Sequence, residues 1–454
     1  MEEQRSRSPP PLRYSATSSL RYFLIDNMND AQADQLNHNL VQKLIELNHI
    51  ESDAVAAAFL ATPRRFFAPN VALAEAYENR ALPLKQAENA WLSSISQPSM
   101  IAIMLEQLAL QPGMQVLEIG AGSGYNAALM AHLVGKKGHI TTLDIDQDLV
   151  DGARANLAAA GVRNVDVVCA DGGLGYAVNA PYDRIILTVG AADISPYWVA
   201  QLVPGGRLLL PLELYMRQLS VAFDKVENAA GAHLESQTVQ DCAFIRLRGV
   251  YAAPDVAALE MAPGIDLFTN SDAVCALSEQ ILTWLQRPPF DWPTGVEITT
   301  RDFWRGLSLW LMLHEPEISG LRITERASRS IQGFAGQFLA ESAGVVTASI
   351  LCGQHGMAAL LQAHPTAVER DEALDPQPVE LIVRQLGTDE SVAWRLVSLV
   401  QAWEMAERPT TERLRLMAYP KSMEPPETNG FLIEKPETWL VLEWGEVAAA
   451  ATNG

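Results

Sequence analysis

Three short stretches carry residue types that could bind and orient a small polar ligand. The first is Val116-Leu-Glu-Ile-Gly-Ala-Gly-Ser-Gly-Tyr125, an apolar run entering the glycine turn Gly120-x-Gly122-x-Gly124 and leaving it as a helical pattern. Glycine lets a backbone turn tightly and approach a ligand closely. The spacing is not the dinucleotide G-x-G-x-x-G, and no lysine follows as in a phosphate-binding P-loop. A carboxylate just before the turn, Glu118, is awkward beside a diphosphate and suits a ligand with an amino group. The second stretch, Leu143-Asp144-Ile145-Asp146, ends a strand with a carboxylate where ribose hydroxyls would sit. The third, Ala170-Asp171-Gly172, offers another where an adenine amine could be met.

A lone glycine triplet is a weak signal, whereas three strand ends in succession are much stronger. Glu118, Gly120, Gly122, Gly124, Asp144, Ile145, Asp171 and Gly172 together describe a pocket for S-adenosylmethionine. The elements that must position them alternate. Short β-rich runs at 116–119, 139–144, 165–169, 184–189 and 207–211 are separated by helical patterns at 125–133, 147–160 and 197–202. Strand, helix, strand at this interval implies right-handed crossovers and an α/β fold with a doubly wound, mostly parallel sheet. Two further strands are expected at 219–224 and 242–247, with a polar, glycine-containing hairpin between them.

Upstream, Leu36, Leu40, Leu44 and Leu47 share a helical face, and Ser52 is a candidate N-cap for a helix reaching Ala61 before Pro63. Residues 1–30 are expected to be a disordered tail, since the Pro-, Ser- and Arg-rich start offers little apolar surface to bury. Past about residue 250 the texture changes: proline becomes frequent and eight of the ten tryptophans follow. The expected organisation is therefore 1–30, 31–252 and 253–454, the last an α+β domain whose tryptophans mainly pack a core.

The chain has 454 residues with 33 Lys and Arg against 54 Asp and Glu, a formal net charge of −21. Such a surface repels phosphate backbones, so a nucleic-acid partner is not expected. The four cysteines form no close pair, which excludes a disulfide scaffold and a four-thiolate zinc site. No stretch has the roughly 20 apolar residues of a membrane span, and no apolar leader opens the chain. A cytoplasmic protein without a membrane partner is the expectation.

Other motifs stand around the glycine turn: Pro63-Arg-Arg-Phe-Phe-Ala-Pro69, Arg80-Ala-Leu-Pro83, Ser94-Ile-Ser96-Gln-Pro98-Ser-Met100, Tyr182-Asp-Arg-Ile185 and Leu202-Val-Pro-Gly-Gly-Arg-Leu208. In this order they resemble the protein-L-isoaspartate O-methyltransferases, class I (Rossmann-like) methyltransferases, over about residues 30–250. Many methyltransferases share the glycine turn; few precede it with a Ser-x-Ser-Gln-Pro loop. The resemblance implies that this loop, with Ser94, Gln97, Pro98 and Ser99, covers the methyl donor, and that Ser96 sits beside the accepting carboxylate. At Ser99 the repair enzymes commonly carry an aromatic residue or His, so substrate selection is expected to differ. More scattered segments, Asp291–Val296, Leu399–Trp403 and Asn429–Lys435, are similar to the extension of bacterial isoaspartyl-type methyltransferases found with lanthipeptide and other ribosomal peptide pathways. That second resemblance implies a modified precursor peptide as partner and an aspartate ester that closes to aspartimide or, after hydrolysis, isoaspartate. General isoaspartyl repair is the alternative.

Such chemistry makes modest demands. A carboxyl group in water loses its proton at about pH 4, so at neutral pH it is already a nucleophile and no general base is required. The sulfonium is intrinsically activated, and no metal is expected. Orientation of carboxylate and methyl is then the main task, worth up to roughly 7–11 kcal/mol for well-placed groups. The histidines fit that picture: His132 and His139 flank a loop, His355 follows Cys352 without a second ligand pair, and His314 and His364 read as structural. Glu404 and Glu407 read as a solvated helix face. An amino-group methyltransferase would carry an Asn/Asp-Pro-Pro-aromatic loop where Thr188-Val-Gly-Ala-Ala-Asp193 stands. A phenol methyltransferase would want a base or metal, and a catalytically dead peptide carrier would not need the intact glycines and Asp144.

Overall fold

The computed structural model describes residues 16–87, 90–229, 231–252, 257–328, 331, 340–342, 345–363 and 377–445. Residues 1–15 of the expected disordered tail, and His364, lie outside the described residues. The chain begins with α1 (Ala16–Glu46), α2 (Asp53–Ala61), α3 (Leu73–Ala76), β1 (Leu82–Ala87), β2 (Ala90–Ile95) and α4 (Pro98–Leu108). The alternating part follows: β3 (Gln115–Ile119), α5 (Tyr125–Val134), β4 (His139–Asp144), α6 (Gln147–Ala159), β5 (Val165–Cys169), β6 (Tyr182–Leu187), α7 (Pro196–Gln201) and β7 (Leu202–Leu214). A long ribbon, β8 (Arg217–Asn228) and β9 (Gly231–Cys242), completes this part. By contacts the chain divides into two compact units. One comprises Met1–Gly113, Ala121–Ile140 and Gln147–Val167, the other Met114–Gly120, Thr141–Asp146 and Val168–Gly454.

In the first unit the leucine stripe is only part of the story. Leu40 and Leu44 are buried with Ala33, Asn37 and Val41, while Leu47 lies past the helix end and is exposed. Ser52 caps α2, its hydroxyl accepting from the Val55 amide at 3.2 Å. The Ser52 amide and hydroxyl and the Glu51 amide in turn donate to Glu106 on α4 at 2.9, 3.0 and 3.0 Å. One carboxylate oxygen thus holds the entry of α2 against α4. Phe59 packs edge-on to Tyr125, the first residue of α5, and Phe67 packs beside it. β1 and β2 form an antiparallel hairpin that pairs Leu82 with Ile95 and Pro83 with Ser94.

A ten-stranded sheet has the central order β7-β6-β3-β4-β5. β3 pairs with β6 and β6 with β7 in parallel, and β7, β8 and β9 continue antiparallel. The strand order reverses between β3 and β6, which is where an open α/β sheet binds its ligand. Apolar residues of successive strands, among them Leu117, Ile119, Ile185, Leu208, Leu210, Val221 and Phe223, join Trp198 in one core. The expected strand at 242–247 is displaced: β9 is the polar stretch 231–242, paired with β8 from Gln218↔Cys242 to Asn228↔Gly231. A ribbon of this kind buries only some of its side chains, here His233, Leu234 and Val239, so polar composition does not prevent pairing. Residues 245–247 instead bond to Gly190, the Gly190 amide to Ile245 O and the Leu247 amide to Gly190 O, both at 2.8 Å.

After residue 256 come β10 (Ala257–Ala262), β11 (Ile265–Thr269), β12 (Phe290–Ile298), β13 (Ser319–Thr324), β14 (Ala340–Ser342), β15 (Val345–Cys352), β16 (Gly356–Gln362) and β17 (Val379–Gly387). They form a second sheet in the order β10-β11-β13-β15-β16-β17-β12, with β14 paired to β15. Its alternation is strict: Ala358, Leu360, Leu381 and Val383 enter one core with the helix Glu390–Met405, while Met357, Ala359, Leu361 and Ile382 enter another. A strand covered on both faces buries every residue, as β16 does. Of the tryptophans expected to pack a core, Trp284, Trp310 and Trp403 do, whereas Trp304 and Trp394 are exposed. Glu404 pairs with Arg408 at 2.6 Å, and Glu407 lies beyond the helix end. The last strands, β18 (Leu414–Pro420), β19 (Phe431–Glu434) and β20 (Thr438–Trp444), return to the first sheet, where β18 pairs with β9. Among the described residues no helix is long and apolar enough to cross a membrane.

Candidate active site

The glycine turn takes its form from backbone that other residues could not supply. Gly120 has φ +105°, and a Cβ built there would lie 2.5 Å from Thr188 Oγ1. Its amide donates to Leu143 O at 2.8 Å, and its carbonyl accepts the Thr188 hydroxyl at 2.7 Å. The ends of β4 and β6 therefore hold the turn between them. Gly124, φ +83°, starts α5; a Cβ there would press on the Ala153 carbonyl at 3.3 Å and Leu157 at 3.2 Å, so α5 and α6 approach closely only with glycine at this point. Gly122, φ +50°, leaves room for a group the size of a Cβ 3.6 Å from the Ser94 carbonyl oxygen. The structure thus brings the middle glycine and the Ser94–Ser99 loop together.

The acidic residues behave differently from one another. Glu118 has no exposed surface, and its carboxylate accepts the Thr142 hydroxyl at 2.6 Å. Where the sequence suggested a carboxylate facing a ligand amine, the side chain is turned inward and ties β3 to β4. Asp144 keeps a sliver of exposure at the end of β4 and accepts the Asp146 amide at 3.3 Å; Ile145 beside it is exposed. Asp171 caps the short turn at Gly172, accepting the Gly173 amide at 2.9 Å with one oxygen and the Val250 amide at 2.8 Å with the other. Gly172 is wedged against Ile119, and its carbonyl accepts the Trp198 indole at 2.8 Å. Arg248 grips Asp146 through both guanidinium nitrogens at 2.8 and 3.3 Å. The segment 246–251 is thereby strapped to the rim that Asp144 and Asp171 occupy.

Ser96 is half-buried, and its hydroxyl makes no hydrogen bond among the described residues. Gln97 is exposed, Pro98 opens α4 and is buried, and Ser99 is buried with its amide donating to Asn79 Oδ1 at 3.0 Å. Sequence reasoning missed Thr142, Thr188, Trp198, Asn79 and Arg248. It noticed Arg64 only as part of a motif. No spacing rule singles these out, because each acts through a contact far along the chain.

A β5-β4-β3-β6-β7 order with a glycine turn at its reversal and carboxylates after the two following strands defines a class I methyltransferase. The family model described as Protein-L-isoaspartate(D-aspartate) O-methyltransferase (PCMT) matches residues 34–251. The protein-L-isoaspartate O-methyltransferase of Hyperthermus butylicus is 38% identical over 226 residues, 48% of this chain and 90% of that one. The one from Methanothrix thermoacetophila is 42% identical over 195 residues, 42% of this chain and 90% of that one. A solved protein-L-isoaspartate O-methyltransferase structure aligns with TM-score 0.46 and 24% identity, over 90% of this chain and 99% of that one. The chain belongs to the protein-L-isoaspartate O-methyltransferase family and is an S-adenosylmethionine-dependent carboxyl methyltransferase.

The residues present suit that cofactor: Gly120 turns the backbone at a positive φ, and the Asp144 carboxylate stands at the end of β4 with a sliver of exposure.

Proposed function

We propose that the chain methyl-esterifies the side-chain or isoaspartyl carboxylate of an aspartate-derived residue in a polypeptide. The observation that carries this reading is the Ser96 hydroxyl, without a hydrogen bond among the described residues, in a loop that lies against Gly122. When bound, S-adenosylmethionine supplies a methyl group already activated by its sulfonium. Asp144 would accept hydrogen bonds from its ribose, the 120–124 turn would take its amino-acid end, and Ile145, Asp171 and Gly172 would border its adenine. Ser96 would donate to the acceptor carboxylate and orient it, with Ser94, Gln97, Pro98 and Ser99 shaping the loop around it. A hydroxyl serves here better than a lysine or arginine, because a fixed positive charge would stabilise the carboxylate and blunt its attack.

The region after residue 256 favours a finer reading, in which the polypeptide is a dedicated one. It adds a whole sheet with two cores of its own beyond the residues that match the family. A modified precursor peptide of lanthipeptide type, esterified at one aspartate and closing to aspartimide or isoaspartate, is the substrate we propose; general isoaspartyl repair is the other reading. Methyl transfer from labelled S-adenosylmethionine to matched unstructured peptides tests this. Rapid labelling of the isoaspartyl peptide alone supports repair. Labelling of neither, with cofactor still bound, supports a dedicated partner, and labelling of neither with no cofactor bound defeats both.

A further inference from the structure

Arg64 is completely buried, an unusual place for a guanidinium. Its four hydrogen bonds all end on main-chain carbonyls. Nη1 donates to Ala76 O and Glu78 O, both at 3.1 Å, and Nη2 donates to Arg80 O at 3.2 Å and to Ser96 O at 3.1 Å. The first three acceptors belong to the last residue of α3 and the segment that leaves it; the fourth belongs to the residue proposed to orient the acceptor. The same segment reaches the loop a second time, because Asn79 Oδ1 accepts the Ser99 amide at 3.0 Å. Ser96 and Ser99 are thus tied to residues 76–80 from both sides of Gln97 and Pro98. The Arg64 guanidinium also lies over the ring of Tyr125, 5.9 Å from its centroid, at the start of the helix that follows the glycine turn. Burial pulls its pKa down to about 10, so it remains charged at neutral pH while losing hydration.

A buried cation without a carboxylate among its hydrogen-bond acceptors costs stability. An apolar side chain of similar volume would fill the space, but it could not hold four carbonyls in one plane. A lysine could not either, since its ammonium lacks the planar fork. The yield of the arrangement is geometric: it fixes the main chain on the carbonyl side of Ser96.

We infer that Arg64, seconded by Asn79, is a positioning residue that aims the Ser96 hydroxyl at the acceptor carboxylate; this rests on the role given to Ser96 above. The test is a double-mutant cycle in the full-length protein, with kcat, KM for an accepted isoaspartyl or precursor peptide, and S-adenosylmethionine affinity measured for each variant. Arg64→Gln should lower kcat by several-fold and by no more than the roughly tenfold loss of Ser96→Ala, with cofactor affinity within about twofold. In a Ser96→Ala background the same substitution should have almost no further effect on kcat, because the clamp acts through that hydroxyl. Arg64→Lys should recover part of the loss. Unchanged kcat in Arg64→Gln, or losses that multiply with those of Ser96→Ala, overturns the clamp and leaves the Ser96 reading standing. Wild-type turnover in Ser96→Ala overturns the Ser96 reading and the clamp with it. If Arg64→Gln does not fold, Asn79→Ala takes its place in the cycle: a several-fold loss of kcat that vanishes in the Ser96→Ala background supports the inference, and no loss or a multiplying one overturns it.

Discussion

The glycine turn at 120–124 takes its shape from main-chain geometry and from strand ends in register, whereas the loop at 94–99 is held by side chains that arrive from distant segments. At the turn the constraints are positive φ values, missing Cβ atoms and bonds to Leu143 and Thr188. At the loop they are the Arg64 guanidinium and the Asn79 amide. Backbone constraints cannot be relaxed by a rotamer change, so the turn is rigid by construction. A loop pinned by two side chains can be retuned by substitution, which suits the part of a methyltransferase that has to meet different substrates.

The turn is where substitution should cost most. Gly120→Ala puts a Cβ into Thr188 and imposes an unfavourable positive φ, together worth about 2–4 kcal/mol of stability. Urea denaturation should show that loss, and calorimetry should show cofactor binding gone. If the variant binds cofactor normally, the turn is not the rigid element described here. Asp144→Ala should come next: losing an acceptor in a charge-assisted bond costs about 1.5–3 kcal/mol, or roughly ten- to a hundredfold in S-adenosylmethionine affinity. Unchanged affinity would remove Asp144 from the donor side. Ser96→Ala should cost about tenfold in turnover, near the range of a single hydroxyl bond, with cofactor affinity little altered. That split between binding and turnover separates the two regions directly.

The same contrast decides what could be read from the chain. β3, β4, β5 and the turn were legible because apolar runs, glycines and terminal carboxylates are local signals, and the structure puts those strands at 115–119, 139–144 and 165–169. The position of Glu118 before the glycines was legible, but not its inward rotation to Thr142, which depends on a neighbouring strand. β9 was misplaced because only His233, Leu234 and Val239 of its side chains are buried, which leaves almost no apolar pattern. The return of β18 to β9, nearly two hundred residues away in sequence, has no local signal at all. Arg64 was visible only as a letter in a motif; its four carbonyls come from segments 12 to 32 residues away.

The smallest effect, and the finest test of where the donor side ends, concerns thiols. Cys169 closes β5, is exposed, and lies with Sγ 3.7 Å from the Ile145 carbonyl, next to residues assigned to the donor. Cys352 in the second sheet is mostly enclosed, and burial pushes its pKa up to about 12; burial raises that of Cys242 as well. Only the thiolate reacts with a disulfide reagent. At pH 8 a thiol with a pKa near 12 is about one part in ten thousand thiolate, so Cys352 should label only very slowly in the native protein. Raising the pH by one unit should speed its labelling about tenfold, since the thiolate fraction rises in that proportion below the pKa. Cys169 should label first in the native protein, and S-adenosylmethionine should slow it by a few-fold through occupation of the neighbouring rim. Labelling of Cys169 that ignores saturating cofactor would move the adenine side of the pocket away from Ile145 and leave the glycine turn and Asp144 as its only boundary.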